Sequence, residues 1–174
     1  MAETDINSLK NELGSFVERY ESEILGEENL TGKLCLHVKP GRIKEMIRFL
    51  KESPETDFSM MMDLFGMDYS KFEPKQPERF AIIYNLFSLS RNSYLILKAF
   101  LPEESPEIES IHNIYRAADW FEREAYDLYG VIFIGHPNLT RILCHSDFEG
   151  HPLRKDYPSD GYQSLKNALP SSGF

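Results

Sequence analysis

RFAIIYNLFSLSRNSYLILKAFL, residues 79–101, is the stretch that decides the fold. Two runs of aliphatic and aromatic residues flank the polar triplet Ser90 to Asn92, a pattern typical of a β-hairpin with a short loop. The chain has 174 residues, of which 41% are hydrophobic, and this is enough for one domain with a single core. We therefore predict a small sheet built around this hairpin.

Helical and strand patterns precede the hairpin. Apolar residues recur at three- and four-residue steps over residues 4–25, which predicts an amphipathic helix that ends near Gly26. Residues 33–39 alternate in the manner of a strand with one buried face. A second helix is predicted over residues 40–53, where a proline stands near the start, and a further strand over residues 57–66.

A helix and a long irregular segment follow the hairpin. Residues 106–129 have helical spacing and stop at Gly130, whereas residues 131–174 are rich in glycine and proline. The predicted fold class is α+β: a small, mostly antiparallel sheet with helices packed on one face, followed by an extended, irregular C-terminal arm. We predict an α+β domain over residues 1–130 and the arm over residues 131–174. Long irregular segments in compact proteins are usually functional or disordered.

A charged helix face lies directly before the arm. It is formed by Asp119, Glu122, Arg123 and Asp127. One interpretation is a solvated face on which Arg123 pairs with Asp119 or Asp127, four residues away on either side. The other is a clamp that gives a basic residue of the arm a carboxylate partner; the candidates are Arg141, Arg154 and Lys155. Apolar anchors for the arm are Leu139, Ile142, Leu143, Phe148, Leu153 and Tyr157. An arm of this kind indicates an interaction protein.

Composition argues against several functional classes. The net charge of −9 opposes binding to nucleic acid or anionic lipid, and residues 1–30 alone contribute −6 from eight acidic and two basic residues. Two distant cysteines make a disulfide framework improbable and fit a reducing compartment. No signal peptide and no membrane span of about 18 apolar residues is evident.

The arm contains several histidine and cysteine residues that could bind a metal or act in catalysis, but they do not form a familiar motif. His136, Cys144, His145 and His151 are zinc-binding residue types, but their spacing matches no usual ligand pattern. Cys144 beside His145 is no nucleophile signature, because such pairs meet in space rather than in sequence. Phosphate-binding glycine motifs are absent, and two cysteines are too few for an iron–sulfur cluster. We predict no catalytic, cofactor-binding or metal-binding residue; a zinc enzyme using His136, His145 and His151 is the alternative.

The segment ADWFEREAYDLYGVIFIGHPNLTRILCHSDFEGHPLRKDYP, residues 118–158, closely resembles the signature of the C subunit of respiratory complex I, the proton-pumping NADH:quinone oxidoreductase. The segment MDLFGMDY, residues 62–69, and the hairpin are also similar to that family. Thr140 departs from it, since a basic residue is common there. The resemblance implies that the following signature residues lie at partner interfaces: Glu122, Arg123, Glu124, Asp127, Gly135, His136, Pro137, Arg141, Gly150, His151, Pro152, Leu153, Arg154, Lys155, Asp156 and Tyr157.

The resemblance also implies a role. It is that of a non-catalytic structural subunit of the hydrophilic arm of the complex, packed against the quinone-site subunit and the cluster-bearing subunits. FMN and iron–sulfur clusters are expected in the complex and not in this chain. The expected location is peripheral, on the cytoplasmic side of the inner membrane, and the chain resembles the form that is not fused to the quinone-site subunit. An equivalent subunit of a related membrane-bound hydrogenase or ferredoxin-linked quinone reductase is the neighbouring interpretation.

Overall fold

The computed structural model describes residues 6–160 and residue 163. Four α-helices and seven strands form most of this part of the chain. In chain order they are α1 (Ile6–Glu12), α2 (Gly14–Arg19), β1 (Ile24–Leu30), β2 (Lys33–Val38), α3 (Ile43–Glu52), β3 (Met60–Asp68), β4 (Phe80–Ser88), β5 (Ser93–Leu101), β6 (Glu107–Glu109), α4 (Ala118–Tyr129) and β7 (Ile132–Ile134). No helix among these residues is long and apolar enough to cross a membrane.

The predicted hairpin forms the centre of a five-stranded sheet. Strands β4 and β5 pair antiparallel from Phe80 opposite Leu101 to Ser88 opposite Ser93. The strand order is β1-β2-β5-β4-β3, and only the β2–β5 pair is parallel. Nearly all residues of the hairpin strands are buried, because each strand has neighbours on both sides. The predicted α+β fold with a mostly antiparallel sheet is confirmed.

The two faces of this sheet have different surroundings. One face packs against the apolar sides of the helices in the main core, to which α3 contributes Ile43, Met46, Ile47 and Leu50. The opposite face carries a smaller cluster of residues from the strands and from Tyr69, and no helix of the described chain contributes to it. The helices therefore lie on one face, as the sequence predicts.

The N-terminal region differs from its prediction. In place of one helix over residues 4–25, the described part has two short helices, and β1 begins at Ile24 and contains the predicted stop Gly26. β1 pairs antiparallel with β2 through a turn in which Thr31 and Gly32 have positive φ angles of 50° and 85°. The spacing of apolar residues does not reveal this pairing, because the hydrogen bonds that stabilise β1 come from another strand.

Two further boundaries differ. Strand β3 continues beyond the predicted end at Gly66 to Asp68. The last helix occupies only residues 118–129 of the predicted 106–129, because Glu107–Glu109 forms β6 and pairs in parallel with β7, at the start of the predicted arm. The second error concerns the three-residue strand β6, whose partner β7 follows only after α4. The division into residues 1–130 and 131–174 stays a prediction.

Candidate functional site

The path of the arm is set by a glycine at the end of α4. Gly130 has a φ angle of 76°, and its N–H donates to the carbonyl of Tyr126, so it ends the helix in the left-handed conformation. A Cβ atom here would lie 2.5 Å from the Arg154 guanidinium and 2.6 Å from the His151 ring. Only glycine allows the arm to return this closely to the helix end.

Asp127 of α4 fastens the arm through four donors. Its Oδ1 accepts a hydrogen bond of 2.7 Å from Arg141, and its Oδ2 accepts the backbone N–H groups of residues 142, 143 and 144 at 2.7–3.0 Å. Arg141 also donates to the carbonyl of Gly150, 3.0 Å away. Thus the clamp interpretation is supported with Arg141 as the basic partner, and one buried carboxylate shapes the chain from Arg141 to Gly150.

The charge of Asp127 follows from these donors. Burial alone would raise the pKa of its carboxyl, but the hydrogen bonds from Cys144, Arg141, Ile142 and Leu143 outweigh this effect and lower the pKa to about 2. The carboxylate is consequently ionised at neutral pH although its side chain has no solvent exposure. A buried charge is tolerated here because it is paired and fully hydrogen-bonded.

Arg123 also binds the arm rather than its own helix. Its guanidinium donates to the carbonyl and hydroxyl oxygens of Thr140, both at 3.1 Å, and to the carbonyl of Arg141 at 3.2 Å. The predicted pairing of Arg123 with Asp119 or Asp127 is therefore wrong, since carbonyl groups of the arm are better placed. Thr140, which departs from the family pattern, supplies a hydroxyl acceptor at this point.

Glu122 holds the chain that leads into α4. Its Oε2 accepts a hydrogen bond of 2.5 Å from the Ser110 hydroxyl, and its Oε1 accepts the N–H of Ile111 at 2.7 Å. The His136 ring lies 3.9 Å away and donates to the carbonyl of Asp119. Burial dominates here and raises the pKa of Glu122 to about 7 despite these two hydrogen bonds. Glu124, two residues on, is exposed on another face of the helix.

A second attachment joins the arm to the end of β3. Asp68 accepts hydrogen bonds from Arg79 and from the backbone N–H of Lys155, at 3.0 and 2.8 Å. Arg79 also pairs with Asp156 at 2.8 Å, and Arg154 donates to the carbonyl of Tyr129 at 2.7 Å. Burial alone would raise the pKa of Asp68, but these donors and Ser70 lower it to about 2. The predicted site lacks Asp68 and Arg79, although Asp68 belongs to the quoted segment MDLFGMDY.

The histidines of the arm have separate surroundings. His136 contacts Asp119, the His151 ring donates to the carbonyl of Asp127 at 2.9 Å, and the His145 ring packs on Phe148. Both ring nitrogens of His145 are buried, and neither has a hydrogen-bond partner among the residues that the structure describes. His136 and His151 therefore each donate a ring N–H to a backbone carbonyl of α4. A zinc site formed by the three gains no geometric support within residues 6–160.

One group of potential metal ligands does occur in the described chain, on β1 and β2. Glu28, Cys35 and His37 place ligand atoms within 4.8 Å of one another. The ammonium of Lys98 already pairs with Glu28, and burial raises the pKa of the Cys35 thiol to about 12. A metal would have to compete with this lysine and deprotonate the thiol, so we interpret the group as a partly buried ion cluster.

Cys144 has no features of an activated nucleophile. Burial is the main cause that raises the pKa of its thiol, and Asp127 raises it further. A reactive cysteine requires the opposite, a thiolate stabilised by positive charge. Its backbone N–H is occupied by Asp127. We therefore assign Cys144 to the shaping of the arm.

Several apolar side chains of the arm face outward. Leu143 is 63% exposed and Leu153 is 46% exposed, so these two predicted anchors do not pack within the described chain. Leu139 does pack against the core, and Phe148 stacks on Tyr157 with ring centroids 5.8 Å apart. Phe148, Pro152, Leu153 and Tyr157 line an open groove of about 620 Å³. Trp120 is also largely exposed, and its ring is covered on one side by Arg123.

The chain is similar in sequence to a described protein family and to individual members. The sequence model of the family described as "Respiratory-chain NADH dehydrogenase, 30 Kd subunit" matches residues 36–163. The NADH-quinone oxidoreductase C subunit of Mesorhizobium japonicum is 40% identical over 157 residues, which are 90% of this chain and 76% of that protein. NADH-ubiquinone oxidoreductase subunit 9 of Reclinomonas americana is 43% identical over 135 residues, which are 78% of this chain and 64% of that protein.

Two solved structures resemble the fold. One, described as Nqo5 of a trypsin-resistant fragment, is 31% identical, has a TM-score of 0.66, and covers 75% of this chain and 98% of its own. The other is a chain of the membrane-bound sulfane sulfur reductase, an archaeal respiratory membrane complex; it is 20% identical, has a TM-score of 0.68, and covers 94% of this chain and 99% of its own. At that identity the second likeness concerns the fold alone.

Proposed function

The chain belongs to the family of the 30 Kd subunit of respiratory-chain NADH dehydrogenase, and from this premise we propose that it is a structural subunit of a NADH:quinone oxidoreductase. Its partners are other subunits of that membrane-bound respiratory complex. The observation that carries the proposal is the arm: α4 holds it in one shape while Leu143 and Leu153 are left exposed. Such a surface is suited to binding another protein.

The finer part of the proposal concerns which partner the arm contacts. We infer that the arm packs against the quinone-site subunit and helps to hold the cluster-bearing subunits beside it. Support comes from the outward leucines, the groove lined by Phe148 and Tyr157, and the exposed side chain of Lys155. Because the arm is already fastened by Asp127 and Asp68, little conformational entropy is lost on docking.

Cofactors are proposed to lie in other subunits. A complex of this family carries FMN and iron–sulfur clusters, and this chain has only two cysteines, one in β2 and one in the arm. Clusters usually need four thiolates, so the donors in this chain do not fit one. We further propose that the chain is peripheral and lies on the cytoplasmic side of the membrane. Its contribution is an interaction surface.

Affinity purification of the tagged full chain from its native membranes tests the proposal. We expect the quinone-site subunit, the cluster-bearing subunits and the NADH-binding flavoprotein to co-purify, as identified by mass spectrometry. The variant Leu143→Asp/Leu153→Asp is expected to lose them while the isolated chain keeps its unfolding temperature, because both side chains are exposed. Leu25→Asp, at an exposed leucine on the far edge strand β1, is the matched control and keeps the partners.

Two results would contradict the proposal. Recovery of the wild-type chain alone under gentle detergent would exclude a subunit role. A fully active oxidoreductase assembled without this polypeptide would exclude a structural requirement. Recovery of the cluster-bearing subunits without a NADH-binding flavoprotein would instead assign the chain to a related membrane-bound complex.

A further inference from the structure

A buried carboxyl group and a buried imidazole lie side by side where the arm begins. They belong to Glu122 of α4 and to His136, two residues after β7; neither side chain is exposed, and Glu122 Oε2 lies 3.9 Å from His136 Nε2. The short parallel sheet brings them together, since the N–H of Ser110 after β6 donates to the carbonyl of Ile134 at 2.9 Å. Charges interact strongly in such buried surroundings, so a charge on Glu122 acts directly on the His136 ring.

The proton of the His136 ring has a defined position. The backbone N–H of Asn138 donates to Nδ1 at 3.1 Å, and because a backbone N–H can only donate, the neutral ring carries its proton on Nε2. The Nε2–H group donates to the carbonyl of Asp119 at 3.2 Å, which is at the long end of the range for such bonds. The ring therefore joins α4 to the first turn of the arm, with one hydrogen bond on each nitrogen.

Glu122 is a second acceptor for the same Nε2–H group. Its Oε1 accepts the N–H of Ile111 and its Oε2 accepts the Ser110 hydroxyl, but each oxygen of an ionised carboxylate has two lone pairs, so Oε2 can accept once more. A hydrogen bond to an ionised carboxylate is roughly twice as strong as one between neutral groups. Which acceptor is better for the His136 proton thus depends on the charge of Glu122.

The charge of Glu122 changes near neutral pH. Burial is the largest cause and raises its pKa to about 7; Asp119 raises it further, and Lys44 of α3 lowers it. A ring nitrogen of the partly exposed His112 lies 2.9 Å from the Ser110 hydroxyl, and this chain of contacts is a route by which the proton reaches solvent. The titratable and charged groups around Glu122 are Lys44 of α3, Tyr84 of β4, His112 after β6, Asp119 of α4 and His136 after β7.

We propose that Glu122 and His136 form a pH-sensitive latch at the start of the arm. While Glu122 is neutral, the His136 ring holds the carbonyl of Asp119 and the N–H of Asn138, and the latch is closed. When Glu122 loses its proton to solvent, the Nε2–H group moves from the carbonyl of Asp119 to Glu122 Oε2. This shift draws Nδ1 away from Asn138, so the first turn of the arm is released at higher pH.

The latch is a property of the chain itself, but its effect on assembly rests on the proposed function. The arm is the surface through which the chain is proposed to bind the quinone-site subunit. A released turn has to be ordered again on docking, and this ordering lowers the affinity. The wild-type chain should therefore bind that subunit less tightly above the pKa of Glu122 than below it.

Nitrogen NMR of the His136 ring in the isolated full chain tests the latch without any substitution. From about pH 6 to about pH 8, Nδ1 should move downfield as it loses the N–H of Asn138, whereas Nε2 should stay protonated. The amide of Asn138 should exchange with solvent about threefold to tenfold faster, after correction for the intrinsic effect of pH, as expected for one lost hydrogen bond.

Glu122→Gln supplies the variant test. Glutamine does not ionise, so the Nδ1 resonance of His136 and the corrected exchange of Asn138 should both become independent of pH over this range. Glu124→Gln, at an exposed position of the same helix, is the matched control and should reproduce the wild-type titration. If Glu122→Gln does not fold, the wild-type titration still decides the proposal.

Three results would overturn the latch. The first is a Nδ1 resonance of His136 that does not change between about pH 6 and about pH 8. The second is protonation of both ring nitrogens in this range, because the ring itself would then be the titrating group. The third is an equal pH response of Asn138 in wild type and in Glu122→Gln. All three readouts use the isolated chain, so they stand whether or not the chain co-purifies with the complex.

Discussion

The two ends of α4 use buried carboxyl groups in opposite ways. Glu122 holds the chain before the helix, and Asp127 holds the arm after it; neither side chain has any solvent exposure. Nevertheless the pKa of Glu122 is raised to about 7 and that of Asp127 is lowered to about 2. Two neutral donors contact Glu122, whereas three backbone N–H groups and an arginine contact Asp127. Burial alone therefore does not decide the charge of a carboxyl group; the donors around it do.

Removing the Asp127 carboxylate should have the largest effect. Asp127→Ala leaves the Arg141 guanidinium and three N–H groups without their acceptor, so the free energy of unfolding should fall by about 3–5 kcal/mol. Urea denaturation followed by the fluorescence of the sole tryptophan, Trp120, measures this. Asp119→Ala, at a partly exposed position of the same helix, should cost much less. Equal losses in the two variants would show that Asp127 has no special role.

The pH dependence should separate the two carboxyl groups. Glu122 has a raised pKa in the fold, so its favourable contribution is complete below pH 4.5 and is lost as the pH rises to about 7. Asp127 has a lowered pKa, so its contribution is complete above pH 3.8 and is lost as the pH falls toward about 2. Stability should therefore decrease in two distinct windows.

Glu122→Gln tests the upper window. Between pH 4.5 and 7 the wild-type free energy of unfolding should fall by about 3 kcal/mol relative to this variant, since glutamine does not ionise. Denaturant unfolding at closely spaced pH values gives the two curves. Glu124→Gln, an exposed neighbour, should follow the wild-type curve. Parallel curves for wild type and Glu122→Gln would contradict the raised pKa.

Ser110→Ala removes one of the two hydrogen-bond donors of Glu122. It should therefore increase the difference between the pKa values of Glu122 and Asp127. The loss should be about 1 kcal/mol at pH 5 and about 2 kcal/mol at pH 8, because a hydrogen bond to an ionised carboxylate contributes more than one to a neutral carboxyl. The pKa of Glu122 should also rise further in this variant. Ser59→Ala, at an exposed serine, should change nothing measurable at either pH. A loss that does not vary with pH would show that the contribution of the Ser110 hydrogen bond does not depend on the charge of Glu122.

Asp156→Asn should have the smallest effect. Asp156 pairs with Arg79 but is 63% exposed, and exposed ion pairs contribute about 0–1 kcal/mol. Arg79 also keeps its bond to the buried Asp68. Urea unfolding and limited proteolysis of the arm should both resemble the wild type. A loss as large as that in Asp127→Ala would show that the arm is fastened mainly at β3 and not at α4.

Much of the architecture follows from local patterns. The hairpin at residues 80–101, the helix α3 and the glycine that ends α4 each depend on the residues they contain, through alternation, helical spacing or a left-handed stop. The long match to a family signature likewise indicates the assembly in which the chain works. These features could be predicted because their causes lie within a short stretch of sequence.

Other features depend on partners far away in the chain. Strands β1, β6 and β7 are stabilised by pairing with other segments, so the helical spacing over residues 4–25 and 106–129 did not reveal β1 and β6. The sequence indicated that a carboxylate of α4 could clamp the arm, but only the tertiary structure selects Asp127 for Arg141 and directs Arg123 to Thr140. It also brings the Asp68 carboxylate within hydrogen-bond distance of the backbone N–H of Lys155, 87 residues later. Residue types determine which contacts are available, and the packing of distant segments decides which of them form.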